Sequence, residues 1–319
     1  MKPKNTNNTQ GENQDEMFYP LIKNKYIDPF TDFGFKKLFG QECNKDLLLD
    51  FLNELLHKEE GRIVSISYLD KEKLGIVEDS RSAILDLFCE NEKGEKFIVE
   101  LQKSKQDFFK DRALYYTTFP IAEQAPEGVW DYQLKSVYTV AILNFVFDED
   151  KNDLDKYRYD VMLTDIETHK IFYDKLTFIY LEMPKFNKTV PELKTRFDKW
   201  MYVIKNLSRL DELPDELRER IFEKLLAAAA VAKLTIDEAR AYFKSVNAAR
   251  DLQNCMNTAK QEGEAKGKAE GKAEERKQIV FNSHQAGLSE ETIATITGLA
   301  VEEIRNILGI RNYELGITN

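Results

Sequence analysis

The sequence predicts an α/β protein that ends in an all-helical region, and three observations carry this. Between Asp28 and Met183, apolar residues at helical spacing alternate with short runs in which apolar residues recur at every second position. After Pro184 the strand-like runs stop and helical spacing takes over. From Gln261 a repetitive Glu/Lys/Gly/Ala segment leads into short helical units punctuated by glycine. The resulting order is helix, three strands, helix, strands, then helices.

Residues 1–17 are rich in Asn, Lys, Gln and Thr and read as a disordered leader. Asp28-Pro29 predicts a turn, and Thr31 or Asp32 is placed to cap a helix bearing Phe35, Leu38 and Phe39. Interrupted near Gly40, the pattern resumes through Leu47, Leu48, Phe51, Leu52, Leu55 and Leu56, and Gly61 closes it. The Ile63–Leu69 stretch reads as a strand, and Ser82–Glu90 and Lys96–Gln102 as the arms of a hairpin around Asn91-Glu92-Lys93-Gly94-Glu95. Gln106–Gln124 is the next expected helix, with Phe109, Ala113, Tyr116 and Ile121 among its apolar positions. Ser136–Phe147 reads as a buried strand, followed by strands at Tyr157–Leu163 and Leu176–Met183.

Pro191–Leu207, Asp215–Ala232 and Ile236–Lys260 are the helices expected next. Boundaries follow at 18–188 for the α/β domain, 189–260 for a helical extension, 261–277 for the charged segment and 278–312 for a small terminal unit. In the charged segment Gly263, Gly267 and Gly271 recur every fourth residue. That pattern fits either a solvated helix or linker, or a stripe on which a second helix packs to form a homodimer. The terminal unit has the spacing of a helix-turn-helix, with Leu288, Ile293, Ile296, Leu299, Val301, Ile304 and Leu308 as its expected core. Its second helix, Val301–Leu308, carries Glu302 and Glu303 against a single Arg305, a poor composition for reading a DNA groove.

A net charge of −10 argues against a general nucleic-acid-coating protein but leaves room for a local basic groove. Cys43, Cys89 and Cys255 are odd in number and far apart, which fits a reducing cytoplasm, and His57, His169 and His284 have no partner at metal-ligand spacing. No signal peptide and no membrane-spanning run is expected.

The hairpin carries the chemistry. Ala83, Leu85, Leu87 and Cys89 form one apolar face of its first arm, and Phe97, Val99 and Leu101 one apolar face of its second. Superposing these faces fixes the parity of the register, because a one-residue slip would turn one arm over. A register centred on Lys93 puts Asp86 opposite Glu100, beside Ile84, Phe88 and Ile98. Two opposed carboxylates there destabilise the pair unless a divalent cation lies between them, so the residues predict a Mg²⁺ site with Gln102 on the same face.

The pieces Asp28-Pro-Phe-Thr-Asp-Phe-Gly-Phe-Lys-Lys-Leu-Phe39, Ile84-Leu-Asp-Leu-Phe88, Ile98-Val-Glu-Leu-Gln102, Arg112-Ala-Leu-Tyr-Tyr116 and Tyr180-Leu-Glu-Met-Pro-Lys185 occur in that order. Together they resemble the recombination-promoting nuclease and transposase family, a branch of the PD-(D/E)XK phosphodiesterase superfamily, over roughly residues 20–310. The resemblance implies a restriction-endonuclease-like mixed sheet flanked by helices, and a DNA endonuclease that uses Mg²⁺ or Mn²⁺. It makes Asp86 and Glu100 the metal ligands, with Asp32, or else Glu54, completing the shell. The superfamily has Lys where this chain has Gln102, so Gln102 orients the attacking water without supplying charge. The missing cation then falls to Lys103, Lys105 or Arg112. Lys103 belongs to the opposite strand face, which leaves Lys105 and Arg112, and Arg112 is assigned to the phosphate; its other reading is a pair with Asp107 or Asp111. The rival to an active nuclease is a nuclease-derived scaffold whose helical half mediates self-association or partner binding.

Overall fold

The structure, a computed structural model, describes residues 24–56, 62–69, 86–125, 128 and 131–309. The leader, Gly61, the Ser82–Leu85 part of the hairpin and the last residues of the terminal unit lie outside them. The chain divides into two compact units, one ending at Arg250 and the other beginning at Asp251.

The first unit is built on a six-stranded sheet in the order β1-β2-β3-β4-β6-β5. β1 (Ile66–Tyr68), β2 (Leu87–Asn91) and β3 (Lys96–Gln102) form an antiparallel meander. β3 then pairs in parallel with β4 (Val137–Leu143), and β4 in parallel with β6 (Ile171–Glu182), while β5 (Arg158–Thr164) is an antiparallel edge. The sheet is therefore mixed: β3 and β6 each pair antiparallel on one edge and parallel on the other. Every residue of β4 is buried, as its unbroken apolar run requires when both faces are covered.

Strand alternation divides the core into two layers. Leu87, Cys89, Phe97, Val99, Val140, Ile142, Ile179 and Leu181 point to one side. There they meet α1 (Asp32–Phe39), α2 (Lys45–Leu56), α4 (Arg196–Asn206) and α5 (Arg220–Ala229). Trp200 of α4 is enclosed among Phe39, Phe51 and Phe222 and donates its indole N–H to the buried Asp50 at 2.8 Å. The helices from Arg196 to Val246 thus form one layer of the same core as the sheet. On the other side the helix among the described residues is α3 (Phe109–Ala122), which lays Phe109 and Ala113 over Ala141, Leu143, Phe178 and Tyr180, and Tyr116 over Phe88 and Ile98.

Two helix starts differ from the sequence expectation for local reasons. α4 begins at Arg196, because Thr195 and Asp198 cap each other's backbone N–H groups and leave Pro191 in a separate short turn. α3 begins at Phe109, after Phe108 turns the chain through a left-handed conformation at φ 58°.

α6 (Ile236–Gln285) is one 50-residue helix that continues through the charged segment instead of ending at Lys260. Its Ala, Lys and Glu outweigh the roughly 1 kcal/mol that each glycine costs. Nothing described lies within 4 Å of a Cβ built on Gly263, Gly267 or Gly271. In the second unit α7 (Glu290–Thr297) and α8 (Val301–Leu308) pack against the end of α6 around Val280, Ile293 and Ile304. Leu288 and Ile296, expected in this core, are exposed: Leu288 lies in the turn between α6 and α7, and Ile296 falls off the single narrow stripe that the two-turn α7 turns inward. Arg305 is tied to Glu290 at 2.7 Å. The three cysteines are free thiols, and no helix among the described residues is long and apolar enough to cross a membrane.

Candidate active site

The expected hairpin register is present: Leu87 pairs with Val99 and Cys89 with Phe97, so the hairpin is centred on Lys93. One step beyond the Leu87–Val99 pair, Asp86 bends out of the ladder. Its Oδ2 accepts the backbone N–H of Leu101 at 2.8 Å. The N–H of Lys96 is given to Ser136 ahead of β4, so by alternation that of Leu101 faces the β2 side, and Asp86 supplies an acceptor where the ladder stops.

Glu100 lies on the α3 side of β3 and is only 5% exposed. α3 brings it a partner by ordinary helical spacing. Phe109, Arg112, Ala113 and Tyr116 fall on one face, and the guanidinium of Arg112 rests over the rings of Phe109 and Tyr116 at 5.0 and 5.7 Å. Arg112 Nη2 donates to Glu100 Oε1 at 2.5 Å and to Gln102 Oε1 at 2.9 Å, and Nη1 donates to Gln106 Oε1. Gln102 Nε2 donates in turn to the Ser104 carbonyl at 3.0 Å, so both ends of its amide are held. Two buried polar atoms here, Arg112 Nε and Ser104 Oγ, have no hydrogen-bond partner among the described residues.

The Glu100 carboxyl is pushed up to about 7. Burial is the main cause, the Arg112 charge opposes it, and the negative charge of Asp86 adds to it. Burial and the Asp86 charge together outweigh Arg112, so the Glu100 carboxyl stays raised even with the arginine in place.

Asp86, Glu100, Gln102 and Arg112 are therefore brought together. Asp32 stands apart: it is largely exposed and pairs with Lys36 at 2.6 Å in the first turn of α1. Glu54, half-buried on α2, belongs to the opposite layer. Lys103 leaves the Gln102 side and reaches Asp28 at 3.3 Å, and Lys105 pairs with Asp148. Arg112 pairs with Glu100, not with Asp107 or Asp111. Ser104 and Gln106 also belong to the site, and no periodicity marked them, because they lie in the irregular turn between β3 and α3.

A mixed sheet between helical layers, with an acidic pair at the C-terminal end of β3 where antiparallel pairing to β2 meets parallel pairing to β4, defines a restriction-endonuclease-like PD-(D/E)XK fold. A family model described as PD-(D/E)XK nuclease family transposase matches residues 29–259, and the chain belongs to that family. Its function is accordingly nuclease-like and related to mobile DNA. No curated protein and no solved structure matches the chain.

Proposed function

We propose that the protein is a divalent-metal-dependent deoxyribonuclease that hydrolyses phosphodiester bonds within DNA, in recombination or the movement of DNA. The observation that carries this reading is a buried carboxylate, Glu100, held by Arg112 at the end of β3, with the Asp86 carboxylate bound to the next backbone N–H, that of Leu101.

The residues fit a hard divalent cation. Asp86, Glu100 and the Gln102 amide offer oxygen donors only, the set preferred by Mg²⁺ or Mn²⁺. Among the described residues no group of three or more His, Cys, Asp and Glu is placed to hold a metal, so the protein's share of the shell is two carboxylates with an amide or the Leu101 carbonyl. Asp32 joins only if its first turn moves. When bound, the metal polarises the phosphodiester and lowers the pKa of its water. Gln102, clamped by Arg112 and the Ser104 carbonyl, holds its amide in a fixed direction and orients that water. Arg112 stabilises charge on the phosphate oxygens through a planar, permanently charged group.

The test is nicking of supercoiled plasmid with Mg²⁺, Mn²⁺ or EDTA, beside a folded Asp86→Ala variant. Metal-dependent nicking by the parent alone is expected. One observation favours a second reading: Gln102 brings no charge, and Arg112 closes on Glu100 as a finished ion pair, as an inactive scaffold for self-association or partner binding allows. Absence of cleavage by folded protein with every metal selects that reading.

A further inference from the structure

Two lysines beside the site come from the segments that carry its chemistry. Lys105 lies three residues beyond Gln102, and Lys110 lies in the first turn of α3, two residues before Arg112. Both are held by one acidic stretch between β4 and β5: Lys105 pairs with Asp148, and Lys110 with Glu149. The lysines are 37% and 48% exposed and the acids 61% and 59%. Ion pairs this open contribute little and exchange readily for another anion.

The acidic stretch itself is firmly mounted. Asn144 donates its N–H to the Gln102 carbonyl at 2.9 Å, Phe147 donates its N–H to the buried Glu182 at 2.7 Å, and Lys185 Nζ donates to the Asp150 carbonyl at 2.7 Å. The ammonium of Lys110 also sits 4.3 Å from the centre of the Phe147 ring. Asp148 and Glu149 are thus displayed between two anchored residues. Asp148 has a second cation in Lys151 at 2.6 Å, so releasing Lys105 leaves it paired.

We infer that Lys105 and Lys110 form the contact surface for the phosphate backbone of double-stranded DNA, and that Asp148 and Glu149 occupy this surface in the free protein in place of two phosphates. The inference rests on the reading of the site as a DNA nuclease. It adds which cations meet the duplex and what the duplex displaces.

The experiment is fluorescence anisotropy of a short labelled duplex in EDTA, titrated with full-length protein from about 50 to 200 mM salt. The variants are K105Q/K110Q, K105R/K110R, D148N/E149Q and, as a control of equal charge change, D215N/E216Q, whose segment belongs to the opposite layer of the first unit through Leu217. Thermal melts confirm that each folds. K105Q/K110Q is expected to weaken binding and to lower the slope of log K against log salt by about 1.8, two contacts at about 0.9 each, with the arginine pair restoring it. D148N/E149Q is expected to tighten binding roughly 2- to 30-fold at fixed salt, and D215N/E216Q much less. A parental slope in K105Q/K110Q, or equal gains in the two acidic variants, overturns the inference while DNA binding by the parent stands. No binding of duplex by the parent at the lowest salt overturns the nuclease reading together with it.

Discussion

The carboxylate of Asp86 accepts the backbone N–H of Leu101 at 2.8 Å, between the two residues whose side chains Arg112 holds. Asp86 therefore terminates the β2–β3 ladder as well as lending charge to the site. Asp86→Asn keeps an acceptor for Leu101 and removes the charge, whereas Asp86→Ala removes both. Thermal denaturation should show the Ala variant destabilised by about 1–3 kcal/mol and the Asn variant by less. Plasmid nicking should be lost in both. A stable Asn variant that still nicks would remove Asp86 from the metal shell.

The pH dependence of stability reports on Glu100. Its carboxyl lies at about 7 in the folded protein against 4.5 for a freely solvated glutamate, so the folded state binds this proton more tightly. The proton's contribution to stability is full below about 4.5 and is lost as pH rises through about 7. In EDTA, the parent should lose stability relative to Glu100→Gln between about pH 5 and 8, by up to about 3 kcal/mol. Saturating Mg²⁺ should recover that loss in the parent and not in the variant. Parallel melting curves across this range would show that the charge of Glu100 is already compensated.

Gly34→Ala should be strongly destabilising. A Cβ at this position would stand 2.1 Å from the Asp28 carbonyl oxygen and 2.8 Å from Thr31 Oγ1, and neither can withdraw. Thr31 accepts the Gly34 N–H at 3.0 Å as the cap of α1, and its own hydroxyl donates to Asp28 at 2.7 Å. Urea denaturation should show a loss above about 2 kcal/mol, against about 1 kcal/mol for Thr31→Ala.

Glu182 and Lys185 form an ion pair at 2.7 Å with 0% and 4% side-chain exposure. Lys185→Met leaves the buried carboxylate uncompensated and should cost about 3–5 kcal/mol in denaturant unfolding. The double variant E182Q/K185M removes both charges and keeps an acceptor for Phe147, so it should recover most of that loss. A double variant as unstable as the single one would mean that the Lys185 contacts to the Asp150 and Lys156 carbonyls carry the stability.

The hairpin register was legible from two signals together: parity requires Leu87, Cys89, Phe97 and Val99 to reach the core on one face, and the short Asn91–Glu95 turn centres the pairing on Lys93. Arg112 was half legible. Its spacing from Phe109, Ala113 and Tyr116 places it on the buried face of α3, but nothing in the chain says that this face crosses above Glu100. Asp148 escaped notice as the partner of Lys105 because it lies 43 residues away, across a connection with no periodicity. α6 was underestimated because the segment beyond Lys260, with a glycine every fourth residue, read as helix or linker alike, although its other side chains favour helix throughout. Asp32 drew attention within its motif, yet the residue of that motif that reaches the end of β3 is Asp28, through Lys103.

That last contact changes how the segment Asp28–Gly34 registers in a genetic screen. Asp28 ties α1 to the strand end at Lys103 and to Tyr242 at the start of α6, and Gly34 lets the cap close. Substitutions here would score as null alleles through falling protein abundance, while the active-site geometry of the surviving folded molecules stayed intact. Steady-state protein level, measured beside phenotype, separates such alleles from those at Glu100 or Arg112, where the proposed nuclease reading expects phenotype to fall further than protein level.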